Sequence, residues 1–417
     1  MEMPAHQIPG KRTIIPYYLA AAMSLVAISL LTLFSIRDFR GHFFQPHLLA
    51  ITHLTVLGWG TMIIMGASNQ LIPVIADKKL YSDHLPVVSF VLFALGTCLL
   101  VHAFWIFELG MMVFTGATLI IMALIVHVVN IILTMRQSAS NIAVDYIITA
   151  HLWLIVTASI GITLLLNFRF NLLPENHLKY LKVHASVGMA GWFLLLVIGV
   201  SSRLIPMFLL SRKEKKAYLT AAYFLINSAL LLFLTDGMLF HSTGGVFFYI
   251  TLMAAGLGCY FVFVVNCYQS AIRKKMDAGM KMTVIAISGI AVPFLLLMIA
   301  AFFFHNTPAS VIVAYGYSFF AGFITTLIMG QTFKTLPFIV WMHLNKPNMI
   351  AEVQPKDLYE ERLVALQMYL YLPGFLLFLV GILFKDQWVM YPGCALMTAA
   401  SLMYCGHVFY IVNKLRK

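Results

Sequence analysis

Charge is what this sequence has least of. Of its 417 residues only 10% are charged while 61% are hydrophobic, whereas a soluble globular domain carries roughly 25% charged residues. No water-soluble fold buries so much apolar chain, so the solvent for most of it is lipid. Carboxylates are scarcer still, with 15 Asp and Glu against 27 Lys and Arg. Glu108, Asp145 and Asp236 all fall near the ends of apolar runs. The mid-membrane acids that proton relays use are therefore missing, which argues against a proton pump. Cysteine is sparse too: Cys98, Cys259, Cys267, Cys394 and Cys405 lie inside apolar runs and form neither Cys-x-x-Cys nor Cys-x-x-Cys-His. That excludes a disulfide framework and a covalently attached c-type heme. No polar stretch is long enough to fold as a separate extramembrane domain.

What is present is a series of apolar runs of membrane-spanning length. The first, Ile14–Ile36, holds no charged residue. It is too long for the core of a signal peptide and is expected to be retained. Twelve helical spans are expected, at 14–36, 48–76, 85–107, 111–135, 146–166, 183–210, 217–239, 246–268, 282–304, 309–333, 364–384 and 388–412. Short connections between them predict antiparallel neighbours. The longest polar stretch is Asn345–Arg362.

The formal charge of +12 is an orientation signal, with no nucleic-acid partner implied. Basic residues gather in alternate loops: Lys78 and Lys79; Arg136; Arg212, Lys213, Lys215 and Lys216; Arg273, Lys274 and Lys275; Lys346 and Lys356; Lys414, Arg416 and Lys417. Lys11 and Arg12 precede the first span, while Arg37, Arg40, Arg169, Lys179 and Lys182 depart from the alternation. Positive-inside bias then predicts a multi-pass protein of the inner (plasma) membrane with both termini cytoplasmic.

An internal repeat emerges next. The segments Met65–Pro73, Ile198–Pro206 and Met329–Pro337 each carry glycine seven residues before proline (Gly66, Gly199, Gly330). Each has a long polar side chain three before it (Gln70, Arg203, Lys334). Fourteen before each proline stand Trp59, Trp192 and Phe323, each directly after a glycine. The period covers four spans, which predicts an all-α membrane protein of three tandem four-helix repeats, approximately 1–140, 141–275 and 276–417. The even count keeps the copies in one orientation, unlike inverted transporter repeats. Small residues on spans 2, 6 and 10 allow close helix approach, so this element reads first as packing.

Histidine carries the candidate chemistry. Fourteen histidines are many for so apolar a chain, and a neutral imidazole is a common metal ligand. His53, His102, His127, His151 and His184 lie in spans, and His47 stands at the mouth of the second. The expected topology sets His47, His53, His102 and His184 towards the outer side and His127 and His151, with His407, towards the cytoplasm. Counted back from their prolines, His53 matches Tyr317 and His184 matches Tyr315. His47 and His53 cannot both reach one iron from a regular helix, because six residues advance it about 9 Å and turn it about 240°.

Twelve spans in three arcs, with ligand residues on spans 2, 6 and 10, resemble the catalytic subunit (subunit I) of the heme-copper oxidase superfamily. His305-Asn306-Thr307 followed by Val313-Ala314-Tyr315-Gly316-Tyr317 resembles that family's helix-10 signature, with Tyr315 and Tyr317 where the family has histidines. The resemblance implies an oxidoreductase scaffold of the oxygen or nitric oxide reductase type. It implies a b-type heme held by His53, with Tyr317, His47 or His102 opposite, and a copper ligand at His184. The layout is also similar to NnrS-type heme- and copper-containing membrane proteins of nitric oxide metabolism. The departures are substantial: span 7 has no His-His pair, His241 being a loose substitute, and the helix-6 copper motif is absent. One heme handling nitric oxide, oxygen or electrons is the expectation, in contact with membrane lipid and with an electron donor or respiratory-complex subunit as partner. The alternative is a transporter or cofactor-handling factor on the same scaffold, with Arg203 and Lys334 attracting an anionic substrate.

Overall fold

The computed structural model describes residues 9–136, 138, 141–212, 214–240, 245–272, 276–304, 306–344 and 354–416. His241 and His305, the basic residues Lys213, Arg273, Lys274, Lys275, Lys346 and Lys417, and the first half of the polar stretch after 344 lie outside them. Among the described residues the chain is helical, with no strand beyond an isolated antiparallel bridge between Ser211 and Ala271. Twelve helices are long and apolar enough to cross a membrane. They are α1 (Lys11–Phe34), α2 (Pro46–Ala76), α3 (Leu85–Trp105), α4 (Met111–Met135), α5 (Ile142–Phe170), α6 (His177–Leu209), α7 (Lys216–Phe240), α8 (Val246–Gln269), α9 (Ala278–Phe303), α10 (Ala309–Leu344), α11 (Glu361–Phe384) and α12 (Gln387–Asn413). Large apolar side chains such as Phe34, Phe303 and Phe384 stand exposed on them, the surface a multi-pass protein offers to lipid.

Three of the boundaries that differ from the sequence reading have a clear local reason. α6 starts at His177, because the Asn176 side chain accepts from Leu178 N at 2.9 Å. This cap draws Lys179 and Lys182 into the first turns of the helix. α9 starts at Ala278 through the same device, with Asp277 Oδ1 accepting from Met280 N at 3.0 Å. α10 runs through Pro337 to Leu344 instead of stopping near 333; a helix in lipid tolerates proline where neighbours compensate the lost bond.

α2, α6 and α10 share a further irregularity. Each contains a π-helical stretch: Leu54–Thr61, Val187–Leu194 and Ser318–Thr325. Each stretch begins nineteen residues before its proline (Leu54 and Pro73, Val187 and Pro206, Ser318 and Pro337). Widened turns of this kind are rare and recur at functional sites.

By internal contacts the chain divides into two units. One comprises Met1–Leu71, Lys79–Ala123 and Met276–Lys417. Within it α1 packs along α12 and against the π stretch of α2, α11 pairs with α12, α9 with α10 and α2 with α3. Trp59, fully buried, donates from Nε1 to Thr325 Oγ1 at 3.0 Å and sets its ring edge-on to Tyr404 at 5.3 Å. The other unit comprises Ile72–Lys78 and Leu124–Lys275, and in it α5 packs on α6 and α7 on α8.

The glycines of the Gly…Pro element set these contacts. A Cβ on Gly66 would stand 2.5 Å from Tyr17 Cβ of α1, and one on Gly199 would stand 2.7 Å from Tyr146 Cβ of α5. On Gly330 it would stand 2.6 Å from the Gly279 carbonyl of α9. Both tyrosines then place their hydroxyls alike: Tyr17 donates to Pro86 O at 2.7 Å and Tyr146 to Leu219 O at 2.9 Å. In a bilayer such bonds satisfy polar groups that water cannot reach.

Candidate functional site

His53 closes the regular first stretch of α2, immediately before the π turns. Its Nδ1 donates to Leu49 O at 2.8 Å, and its half-buried ring lies 4.7 Å from that of Phe104 on α3. With the proton held at Nδ1, Nε2 carries the lone pair. A ring nitrogen presented in this way is the usual state of a metal-ligating histidine.

The histidines that the sequence groups with His53 are differently employed. His47 sits 2.6 Å from Asp38 Oδ2 and stacks on Trp105 at 4.2 Å, tying the start of α2 to the short helix Ile36–Arg40 and to the end of α3. His102 is exposed on α3. The structure thus sets His47 and His53 against adjacent aromatic residues of one helix, while His102 does not join them.

His184, on α6, meets α5: its Nδ1 is 3.0 Å from Thr157 O, and a Cβ on Gly161 would stand 2.9 Å from its Cε1. Gly161 thereby makes the seat for this ring. Tyr317 donates its hydroxyl to Met397 Sδ at 3.0 Å, with its ring against Phe375 at 5.5 Å and Phe378 at 5.1 Å. Tyr315 is half-buried two positions earlier on the same helix. Each of these contacts runs to a residue outside the six candidates. Among the described residues, no group of three or more His, Cys, Asp or Glu side chains is placed to hold a metal ion.

One pair the sequence placed only by depth does come together. His127 of α4 and His151 of α5 are 1% and 0% exposed, with ring centroids 5.4 Å apart and planes inclined at 36°. His151 Nδ1 donates to Ile147 O at 2.7 Å. Its Nε2 and both nitrogens of His127 have no hydrogen-bond partner among the described residues. The ring of Trp192 on α6 stands edge-on to His151 at 5.1 Å. The signal in the sequence was a histidine near the same end of two consecutive spans; the pairing required the register of α4 and α5.

The cations considered for an anionic substrate divide. Lys334 forms an ion pair with Asp277, the capping residue of α9, both largely buried. Arg203 lines a cavity of about 320 Å³ with Asn141, Ser202, Glu214, Lys216 and Thr220, where a carboxylate offsets the local charge.

Compared with known proteins, the chain matches no protein-family model and no curated protein.

Proposed function

We propose that this is an inner (plasma) membrane hemoprotein, related to the catalytic subunit of the heme-copper oxidase superfamily. In this reading it holds a b-type heme through His53 and handles nitric oxide, oxygen or electrons without pumping protons. The observation that carries it is the state of His53. It is an imidazole inside a membrane helix, with its Nδ1 proton tied to the Leu49 carbonyl and Nε2 left as the donor. That is the donor a heme iron takes, with the outer hydrogen bond that fixes ring orientation and basicity. Bound heme would supply one-electron chemistry and a coordination position for a diatomic gas. On the protein's side His53 holds the group, Leu49 sets its tautomer and Phe104 flanks the ring. Of the residues considered for the opposite face, His47 is engaged by Asp38 and Tyr317 by Met397, while His102 is exposed. With these side chains otherwise placed, a heme held by His53 would have a position left for a gas.

For copper, the residues about His184 do not fit. Its neighbours given above are a carbonyl and a glycine, and the described residues assemble no three-ligand group. We further read α1–α4, α5–α8 and α9–α12 as three tandem repeats. Supporting this are the common offset of the π stretches and the matching Gly66–Tyr17 and Gly199–Tyr146 contacts. Both termini lie on the cytoplasmic side in this reading, which the loop distribution of Lys and Arg supports. An electron donor or respiratory-complex subunit completes it.

The test is a reduced-minus-oxidised absorption spectrum of the purified chain and its variants. A b-type spectrum lost in His53→Ala and kept in His47→Ala and His102→Ala is expected. Protein expressed with heme available that carries none would refute the proposal, as would full heme in His53→Ala.

A further inference from the structure

We propose that His127 and His151 form a two-histidine Cu(I) site buried among α4, α5 and α6, separate from the heme ligand above and independent of it. The argument starts from unmet valence. A neutral imidazole has one N–H and one lone pair. His151 commits its N–H to Ile147 O, so its unpartnered Nε2 is a lone pair in a dry interior. His127, with neither nitrogen partnered, also presents a lone pair. Burying such groups without partners is costly in lipid-embedded protein, and two of them within one ring-to-ring contact call for a shared acceptor of electron density.

Geometry and charge then select the ion. At metal–nitrogen distances of about 2.0 Å, two imidazoles joined through one ion have centroids about 6 Å apart. The observed 5.4 Å falls short of that by less than about 1 Å, a change that a small shift of either side chain supplies. The donor set is two neutral nitrogens, with no carboxylate or thiolate in a three-ligand group among the described residues. The cost of burying an ion rises with the square of its charge, so a divalent ion without an anionic ligand is disfavoured about fourfold relative to a monovalent one. Zn²⁺ also asks for four ligands. A monovalent ion that accepts two imidazoles is Cu(I). The edge of Trp192 at 5.1 Å closes the side of His151 facing α6 and helps exclude the further ligands that oxidation to Cu(II) would require.

The experiment uses the full chain purified from cells grown with added copper. Copper per chain is counted under reducing conditions, and the X-ray absorption edge of the bound metal is recorded. Wild-type protein is expected to carry one more copper than His127→Leu or His151→Leu, and to show the low-energy edge feature of two-coordinate Cu(I) with nitrogen scatterers. His53→Ala should leave that copper unchanged, and loss of heme in that variant bears only on the heme reading. Equal copper in wild type and both leucine variants would overturn the site, as would sulfur scatterers or four-coordination in the wild-type spectrum. Where a leucine variant elutes as misfolded protein, the wild-type spectrum decides alone. A copper-free wild type would refute the site.

Discussion

Replacing Gly330 by alanine tests whether glycine sets the distance between α9 and α10. The added Cβ would stand 2.6 Å from Gly279 O, 2.9 Å from Met282 Cβ and 3.3 Å from Thr283 N. Ordinary contact is about 3.5 Å, so relieving the closest contact requires the helices to part by roughly 0.9 Å. Two of the three obstructing atoms are backbone, so no side chain can simply swing aside. Overpacking of this kind costs about 1–3 kcal/mol, and the rigidity of the obstruction puts Gly330→Ala near the upper end. Alanine recovers about 1 kcal/mol of helix propensity, leaving a net loss of about 2 kcal/mol. Gly406, on α12, is the control, since a Cβ there meets nothing within 4 Å. Gly406→Ala should be neutral or gain up to about 1 kcal/mol. Gly279 faces the same contact from the other side, its Cβ falling 2.7 Å from Gly330 O. One separation of the helices accommodates both methyl groups, so the double variant should lose less than the sum of the singles. The assay is the midpoint of helix loss on titrating SDS into protein in a mild detergent. A Gly330→Ala variant as resistant as wild type, or an additive double variant, would refute this account.

Further substitutions probe two other polar contacts. Asp277 both caps α9 and pairs with Lys334; Asp277→Asn should lose about 1.5–3 kcal/mol from the charged bond. Asp277→Ala should lose roughly 1 kcal/mol more with the cap, an order the same titration checks. Trp59→Phe removes the donor to Thr325 and should cost about 1 kcal/mol. In Thr325→Val background that cost should shrink, which a double-mutant cycle measures.

The twelve spans were legible because apolar length is a one-dimensional property, and the prolines inside spans 2, 6, 11 and 12 did not mislead. Helix ends were harder. Lys179 and Lys182 read as loop by charge, yet the Asn176 cap two turns upstream of the apolar run decides where α6 begins. α10 read as ending near its proline, but its apolar side chains continue to pack as far as Met342. Among the candidate residues, His53 was legible as a lone imidazole in a span, and its tautomer rests on an i−4 carbonyl that any regular helix offers. The partners of His47 and Tyr317 were not legible. Asp38 is close in sequence but reaches the ring only through a short helical turn, and Met397 lies two helices away. The pairing of His127 with His151 depends on how two helices slide past each other, a quantity that no single helix encodes.

The π stretches of α2, α6 and α10 divide each of these helices into two parts of different character. Downstream of each stretch the three helices keep the same glycine and proline at the same spacing; upstream they present His53, His184, or Tyr315 and Tyr317. A widened turn between the parts lets the upstream half take up its own rotation about the axis. Substitutions there can accumulate without disturbing how the downstream half seats against its neighbour. The scaffold is thereby insulated from changes upstream of the widened turn, and one architecture can carry histidine or tyrosine there while remaining foldable.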